Sequence, residues 1–262
     1  MESLYKIWKQ VFQVFSNEED SRLNNLDQVF TSFCRSPLHI AVMCGDIDFS
    51  KRILSKRPDL ALKEDRQGFT PLHLALARTN LQMVKLLLKA KPDACMVQEK
   101  DGKTPLHLAA MKDRAEIMKL LMEERPEAIH LKNNQNSETI LHFCVKSNTN
   151  LTTLKLLVDR LVLAGTSTPN PIFIDSKDND GNTVLHLLAE MGKIKIVNYL
   201  LQSNNIRIDI DALNNKGLKA LNLLSQVERN DLEIGYYNYF EQTKELTDGT
   251  ITRYIQIYYA DA

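Results

Sequence analysis

Glycine, proline and cysteine are all scarce in this chain, with 9, 8 and 4 copies among 262 residues. So few glycines leave little for a phosphate cradle, and no Gly-x-Gly-x-x-Gly, Walker loop or Gly-x-Ser-x-Gly elbow occurs. The cysteines, Cys34, Cys44, Cys95 and Cys144, form neither a CxxC pair nor a zinc-ligand spacing, which argues against a disulfide framework or a structural zinc. A reducing compartment, the cytoplasm, is expected. No uncharged run approaches the roughly 18 residues of a membrane span; the longest apolar stretch, Leu154 to Gly165, contains Lys155, Asp159 and Arg160. No signal-peptide pattern opens the chain, so the sequon Asn150-Leu151-Thr152 has no expected role. Neither sign of charge dominates. Lys plus Arg and Asp plus Glu number 33 each, and nothing global favours nucleic acid or an anionic membrane as partner.

What the chain does have is repetition. The sequences Ser36-Pro37-Leu38-His39, Thr70-Pro71-Leu72-His73, Thr104-Pro105-Leu106-His107, Thr139-Ile140-Leu141-His142 and Thr183-Val184-Leu185-His186 share one signature. Their histidines are 34, 34, 35 and 44 residues apart, and a decayed copy, Lys219-Ala220-Leu221-Asn222, follows 36 residues later. A fixed period of this size means stacked helical units, with one continuous domain expected rather than two.

One period reads as a complete unit. Asp65-Arg66-Gln67-Gly68 is a turn. Thr70 is an N-cap with Pro71 at the first helical position, and a short helix carries Leu72, Leu74, Ala75 and Leu76. After a break at Thr79-Asn80, a second helix presents Leu81, Val84, Leu87 and Leu88 on one face, and Pro92 ends it. Equivalent second helices are predicted from Phe49 to Leu54, Ile117 to Leu121, Leu154 to Val158 and Ile194 to Leu201. Arg57-Pro58, Lys91-Pro92 and Arg125-Pro126 punctuate three of them.

These units resemble the ankyrin repeat family. Gly102-Lys103-Thr104-Pro105-Leu106-His107-Leu108-Ala109-Ala110 matches that family's signature throughout, and the resemblance covers roughly residues 30–228. It implies an all-α solenoid of about five to six helix-turn-helix repeats with projecting turns. The repeats are placed near 31–65, 66–99, 100–134, 135–178 and 179–213, with a degenerate one at 214–245. A helical cap over 1–30 precedes an array over 31–228, and a C-terminal extension covers 229–262. The pattern departs at Ser137, which replaces the turn glycine, and at Ile140 and Val184, which replace proline. The helix-break glycine survives at Gly45 and Gly192. About ten extra residues, Leu161 to Ile174, precede the fifth repeat.

Within the family, the stretches Ser36 to Ala41, Arg57 to Ala61, Ile140 to Lys146 and Ser176 to Ala189 resemble a plant group of accelerated-cell-death and bian-da type. That resemblance implies a role in defence or stress signalling. Members of the group add a four-helix membrane domain, PGG, after the repeats; its absence here is expected to mark a truncated form or gene model, and the alternative to a scaffold role is a soluble competitor of membrane-anchored relatives.

The ends are less regular. Leu4, Ile7, Trp8, Val11, Phe12 and Phe15 form an amphipathic helix, read as a cap and alternatively as a membrane-surface or docking helix. Glu18, Glu19 and Asp20 form a small acidic run. Tyr236, Tyr237, Tyr239 and Phe240 cluster near the end, and residues 247–262 fit either a short strand or an extended tail.

Candidate chemistry is sparse. His39, His73, His107, His142 and His186 recur one repeat apart, too far to share an ion. They are expected to hydrogen-bond within their own turn and to the adjacent unit, while His130 lies in a loop. Asp178-Asn179-Asp180-Gly181 has the look of a calcium loop, but Ser176 and Leu187 occupy positions that such a loop fills with acids. No catalytic residue, cofactor or metal is expected. The expected activity is protein binding: Arg66, Gln67, Phe69, Lys100, Lys103, Asn136, Glu138, Asn179 and Asn182 at the tips, and Met43, Arg78, Met111, Lys112 and Lys146 on the concave face, with Phe69 as anchor. The repeat pattern does not name the partner.

Overall fold

The computed structural model describes residues 35–165, 174–202 and 208–232. The amphipathic segment at 3–15, the acidic run at 18–20, the tyrosine cluster, the segment 247–262 and most of the insertion before the fifth repeat lie outside the described residues. The chain divides into two compact units between Gln135 and Asn136. Among the described residues there is no strand, and no helix is long and apolar enough to cross a membrane.

Among its described residues the first unit holds three helix pairs: α1 (Pro37–Cys44) with α2 (Ile47–Lys56), α3 (Pro71–Ala77) with α4 (Leu81–Ala90), and α5 (Pro105–Met111) with α6 (Ala115–Glu124). The first helix of each pair packs on that of the next, α1 on α3 and α3 on α5. Ala75, Ala109 and Ala110 are buried at these contacts, and their small side chains allow close approach. The second helices are amphipathic. Phe49, Ile53 and Leu54 of α2 are buried, as are Met83, Val84, Leu87 and Leu88 of α4, and burying each such side chain stabilises the fold by about 1.5–3 kcal/mol. Asp46 and Asn80 cap these helices through the N–H groups of Phe49 and Met83, at 2.8 and 3.1 Å.

The second unit holds α7 (Ile140–Lys146), α8 (Leu151–Gly165), α9 (Val184–Glu190) and α10 (Ile194–Gln202). The decayed sixth copy is a 3₁₀ turn, Ala220–Leu223, packed on α9, and a further helix begins at 226. Asn222 stands where histidine would complete a cap, which accounts for the shortened element.

Arg57, Lys91 and Arg125 take φ of −135°, −150° and −140°, and Pro58–Leu62, Pro92–Met96 and Pro126–His130 are 3₁₀ helices. A residue before proline is pushed out of the helical region, and proline then pre-sets φ for a new turn. Each turn buries two small or aliphatic residues: Leu60 and Ala61, Ala94 and Cys95, Ala128 and Ile129.

Each break between paired helices is left-handed. Gly45 and Gly192 take φ of 75° and 62°, and Thr79, Asp113 and Asn148 occupy the same place at 57°, 52° and 56°. A β-branched threonine there carries a cost that glycine avoids. Thr79→Gly is therefore expected to raise the unfolding free energy by about 0.5–1 kcal/mol in urea melts, after glycine's own chain entropy is counted. Gly102→Ala runs the other way. It combines φ of 80° with a Cβ that would overlap the Asn134 backbone nitrogen, and a loss of about 2–3 kcal/mol is expected from the same melts.

Candidate interaction surface at the turn tips and inner helices

The five motif histidines sit at the third position of α1, α3, α5, α7 and α9, inside reciprocal capping boxes. Ser36, Thr70, Thr104, Thr139 and Thr183 are the N-caps. Their backbone N–H groups donate to histidine Nδ1 at 3.1 Å in His39, 3.2 Å in His73, His107 and His186, and 3.3 Å in His142. The cap hydroxyls lie 2.6–2.8 Å from the same nitrogens. An Nδ1 that accepts a backbone N–H carries no proton, so the neutral ring is the Nε2–H tautomer.

That proton is spent on the next repeat. Nε2 of His39 donates to the Phe69 carbonyl at 2.8 Å, and that of His73 to the Lys103 carbonyl at 3.4 Å. In the second unit His142 reaches the Asn182 carbonyl at 3.1 Å and His186 the Leu218 carbonyl at 3.0 Å. His39, His73, His142 and His186 therefore serve as rungs between repeats. Burial pulls the pKa of His39 and His142 below the usual value and brings His73 and His107 down to about 4. The half-buried His130 ends the 3₁₀ turn Pro126–His130, and burial lowers its pKa as well.

Four of the tips hang from an acceptor whose role the sequence reading passes over. Asp65 Oδ1 accepts the N–H groups of Gln67 and Phe69 at 2.8 and 3.0 Å. Glu99 accepts those of Asp101 and Lys103 at 3.0 and 3.2 Å. Asp178 Oδ1 takes those of Asp180 and Asn182 at 3.0 and 2.8 Å, and Asn214 Oδ1 those of Lys216 and Leu218 at 3.0 and 3.1 Å. The Asp178 loop is thus a self-capped turn whose carboxylate is occupied by its own backbone. Each acceptor lies eight residues before its motif histidine, or before Asn222, a recurrence that was visible in the sequence. Adjacent tips also join through backbone: Lys100 N–H to the Gln67 carbonyl at 3.1 Å, Asn179 N–H to that of Asn136 at 2.9 Å, and Asn215 N–H to that of Asp180 at 3.0 Å.

The predicted tip residues separate into two sets. Arg66, Gln67, Lys100, Asn136 and Asn179 are exposed at the turns. Phe69, Lys103, Glu138 and Asn182 lie at the base, four residues before a motif histidine. Phe69 is not a free anchor: its carbonyl receives the His39 rung, and its half-buried ring lies 5.8 Å from that of His73. Lys103 pairs with Asp101 at 3.0 Å, and the buried Glu138 pairs with Lys146, which also lies 3.9 Å from Asp178. On the inner helices, Met43 is half-buried and its Sδ accepts from Arg35 Nη1 at 3.3 Å. Arg78, Met111 and Lys112 are exposed.

Cys44, Cys95 and Cys144 are free thiols. Burial raises the pKa of Cys44 and pushes Cys95 up to about 12. Among the described residues no group of His, Cys, Asp and Glu side chains is arranged to hold a metal ion.

The repeat geometry, the rungs and the left-handed breaks define an ankyrin-repeat fold. The ankyrin repeats family pattern matches in three copies, at residues 9–96, 90–167 and 106–214, and the chain belongs to that family. A search of curated proteins found no match. Similar solved structures include the ankyrin repeat domain of Bcl-3, a member of the IkappaB protein family, at 22% identity and TM-score 0.50, covering 76% of this chain and 98% of that one. A chain of the complex between the predatory endopeptidase Bd0816 of Bdellovibrio bacteriovorus and the immunity protein Bd3460 aligns at 20% identity and TM-score 0.59, covering 77% and 96%. The ankyrin repeat protein EF0377 aligns at 20% and 0.62, covering 76% and 96%.

The depressed histidine pKa values fix a pH dependence. Between pH 6.5 and about 4 the unfolded chain binds protons that folded His73 and His107 refuse. Stability is therefore full above pH 6.5 and falls as pH drops through that window. By pH 5 the loss is expected to be about 2 kcal/mol for each of the two. Urea midpoints measured from pH 7.5 to 5 should fall, and His73→Gln, which keeps a capping side chain but cannot ionise, should reduce the slope. Equal slopes in the two proteins contradict the assignment.

Proposed function

We propose that this protein is a protein-binding scaffold, without catalytic activity, that engages a partner polypeptide through exposed tip and inner-helix positions. The observation that carries this reading is a division of labour. The buried polar groups and tip backbones are consumed by rungs, self-capped turns and tip-to-tip bonds. Arg66, Arg78, Lys100 and Lys112 are exposed, and no salt bridge among the described residues takes them. In the second unit Asn136 and Asn179 are exposed in the same register. Exposed arginines and aromatic residues are the side chains that most often dominate binding energy.

The resemblance of Ser36 to Ala41, Arg57 to Ala61, Ile140 to Lys146 and Ser176 to Ala189 to the plant accelerated-cell-death and bian-da type supports a role in defence or stress signalling. The free thiols suit a cytoplasmic location.

Affinity purification with the full chain tests the binding reading. Replacing Arg66, Arg78, Lys100 and Lys112 with alanine is expected to abolish recovery of a specific partner, while alanine at Lys85 and Lys119 on α4 and α6 leaves it unchanged. Equal recovery with both sets overturns the proposed surface.

A further inference from the structure

Resting on the scaffold reading, we propose that the inner-helix face of the first unit recognises an acidic segment of a partner protein, one in which carboxylates alternate with apolar side chains.

The chemistry comes from the register of α3 and α5. Leu74 and Ala77 of α3 lie three residues apart and share one helix face, as do Leu108 and Met111 of α5. These positions differ from the fully buried Leu72, Ala75, Leu106 and Ala109. Leu74 and Leu108 are half-buried, Ala77 is exposed, and Met111 is 38% exposed. Because α3 packs directly on α5, the two pairs form one apolar floor.

Cations border that floor at both ends. Arg78 and Lys112 are the C-caps of α3 and α5, and both are exposed. Arg66 and Lys100 stand exposed at the tips that precede those helices, held side by side by the bond from Lys100 N–H to the Gln67 carbonyl. A seven-residue helix separates the rims by about 10 Å, and packed helices lie about 8–10 Å apart. The floor is thus crossed by about three to four residues of extended chain. Asp101, next to Lys100 in the chain, is paired with Lys103 at 3.0 Å and hydrogen-bonded by Gln135 at 2.8 Å. Among the described residues no salt bridge pairs any of the four rim cations with a carboxylate.

This arrangement selects its occupant. A nucleic acid would match the rims but has little apolar surface to cover Leu74, Leu108 and Met111, and zero net charge gives the chain no wider pull on polyanions. An acidic peptide with interspersed apolar side chains satisfies floor and rims together.

Selection of random peptides about twelve residues long, a span that exceeds the floor, against the full chain tests the proposal. Enriched peptides should carry net negative charge and apolar residues. Their affinity should fall about tenfold or more in the Arg78→Glu/Lys112→Glu chain and in the Arg66→Glu/Lys100→Glu chain. Met111→Glu should weaken binding as well, and Lys85→Glu/Lys119→Glu should not. Neutral or basic enriched peptides, an affinity untouched by both rim reversals, or a short DNA duplex that binds more tightly than the peptides would each overturn it. Partner recovery lost on rim alanine substitution, together with non-acidic peptides, would leave the scaffold reading standing while this one falls. Acidic peptides with unchanged partner recovery would do the reverse.

Discussion

The structure depends on one bond repeated: a histidine Nε2–H donated from the first turn of one inner helix to the turn carbonyl of the next repeat. The reciprocal cap makes this possible. By donating its backbone N–H to Nδ1, the cap residue chooses the tautomer and so aims a proton outward. The same group that ends one helix's unsatisfied backbone thus begins the attachment to its neighbour. Substituting an aliphatic residue would lose both functions at once, leaving a buried N–H and a buried carbonyl without partners.

Around these rungs the other irregular features fall into place. The left-handed breaks turn each chain segment back after a seven- or eight-residue helix, whether glycine, threonine, aspartate or asparagine fills the position. Self-capping acceptors such as Asp65 and Glu99 stiffen the tips, and glycine at Gly102 and Gly181 lets the following tip approach closely. A buried carboxylate is tolerable there because two backbone N–H groups reach each of Asp65 and Asp178. The cost of burying charge is offset inside the turn, and further by Arg35 at 3.3 Å from Asp65 and Lys146 at 3.9 Å from Asp178.

Much of this was legible in the sequence, because the information is periodic. Histidine spacing gave the repeat, Thr-Pro gave the caps, and the i, i+3, i+4 pattern gave the second helices. The histidines' structural role followed from their separation. Other features were hidden for physical reasons. Pro58 and Pro126 read as punctuation and Pro92 as the end of a helix and the start of a turn, but such a signal does not reveal that the turn is 3₁₀ and buries two residues. Asp65 read only as part of a turn and Glu99 was not singled out, because composition cannot distinguish a carboxylate facing water from one folded over its own backbone. Phe69 looked like an exposed anchor from its place in a turn, yet its carbonyl sits at the rung and its ring leans on His73. Glu138 was placed at a tip for the same reason and is buried against Lys146. Phase locates a residue along the repeat; it does not say which way the side chain turns.

Function in such a molecule is what remains after the fold has used its polar groups. The rungs and caps consume the residues that look most chemical, and the proposed surface draws on side chains that stay exposed, Arg66, Arg78, Lys100 and Lys112 among them. Histidine ¹⁵N NMR of the full chain at pH 7 tests the central claim most directly, since ring-nitrogen shifts report the tautomer of each imidazole. The account predicts a neutral Nε2–H ring for all five motif histidines, with Nδ1 unprotonated. Nδ1–H tautomers at these positions, or doubly protonated rings at pH 7, would contradict it.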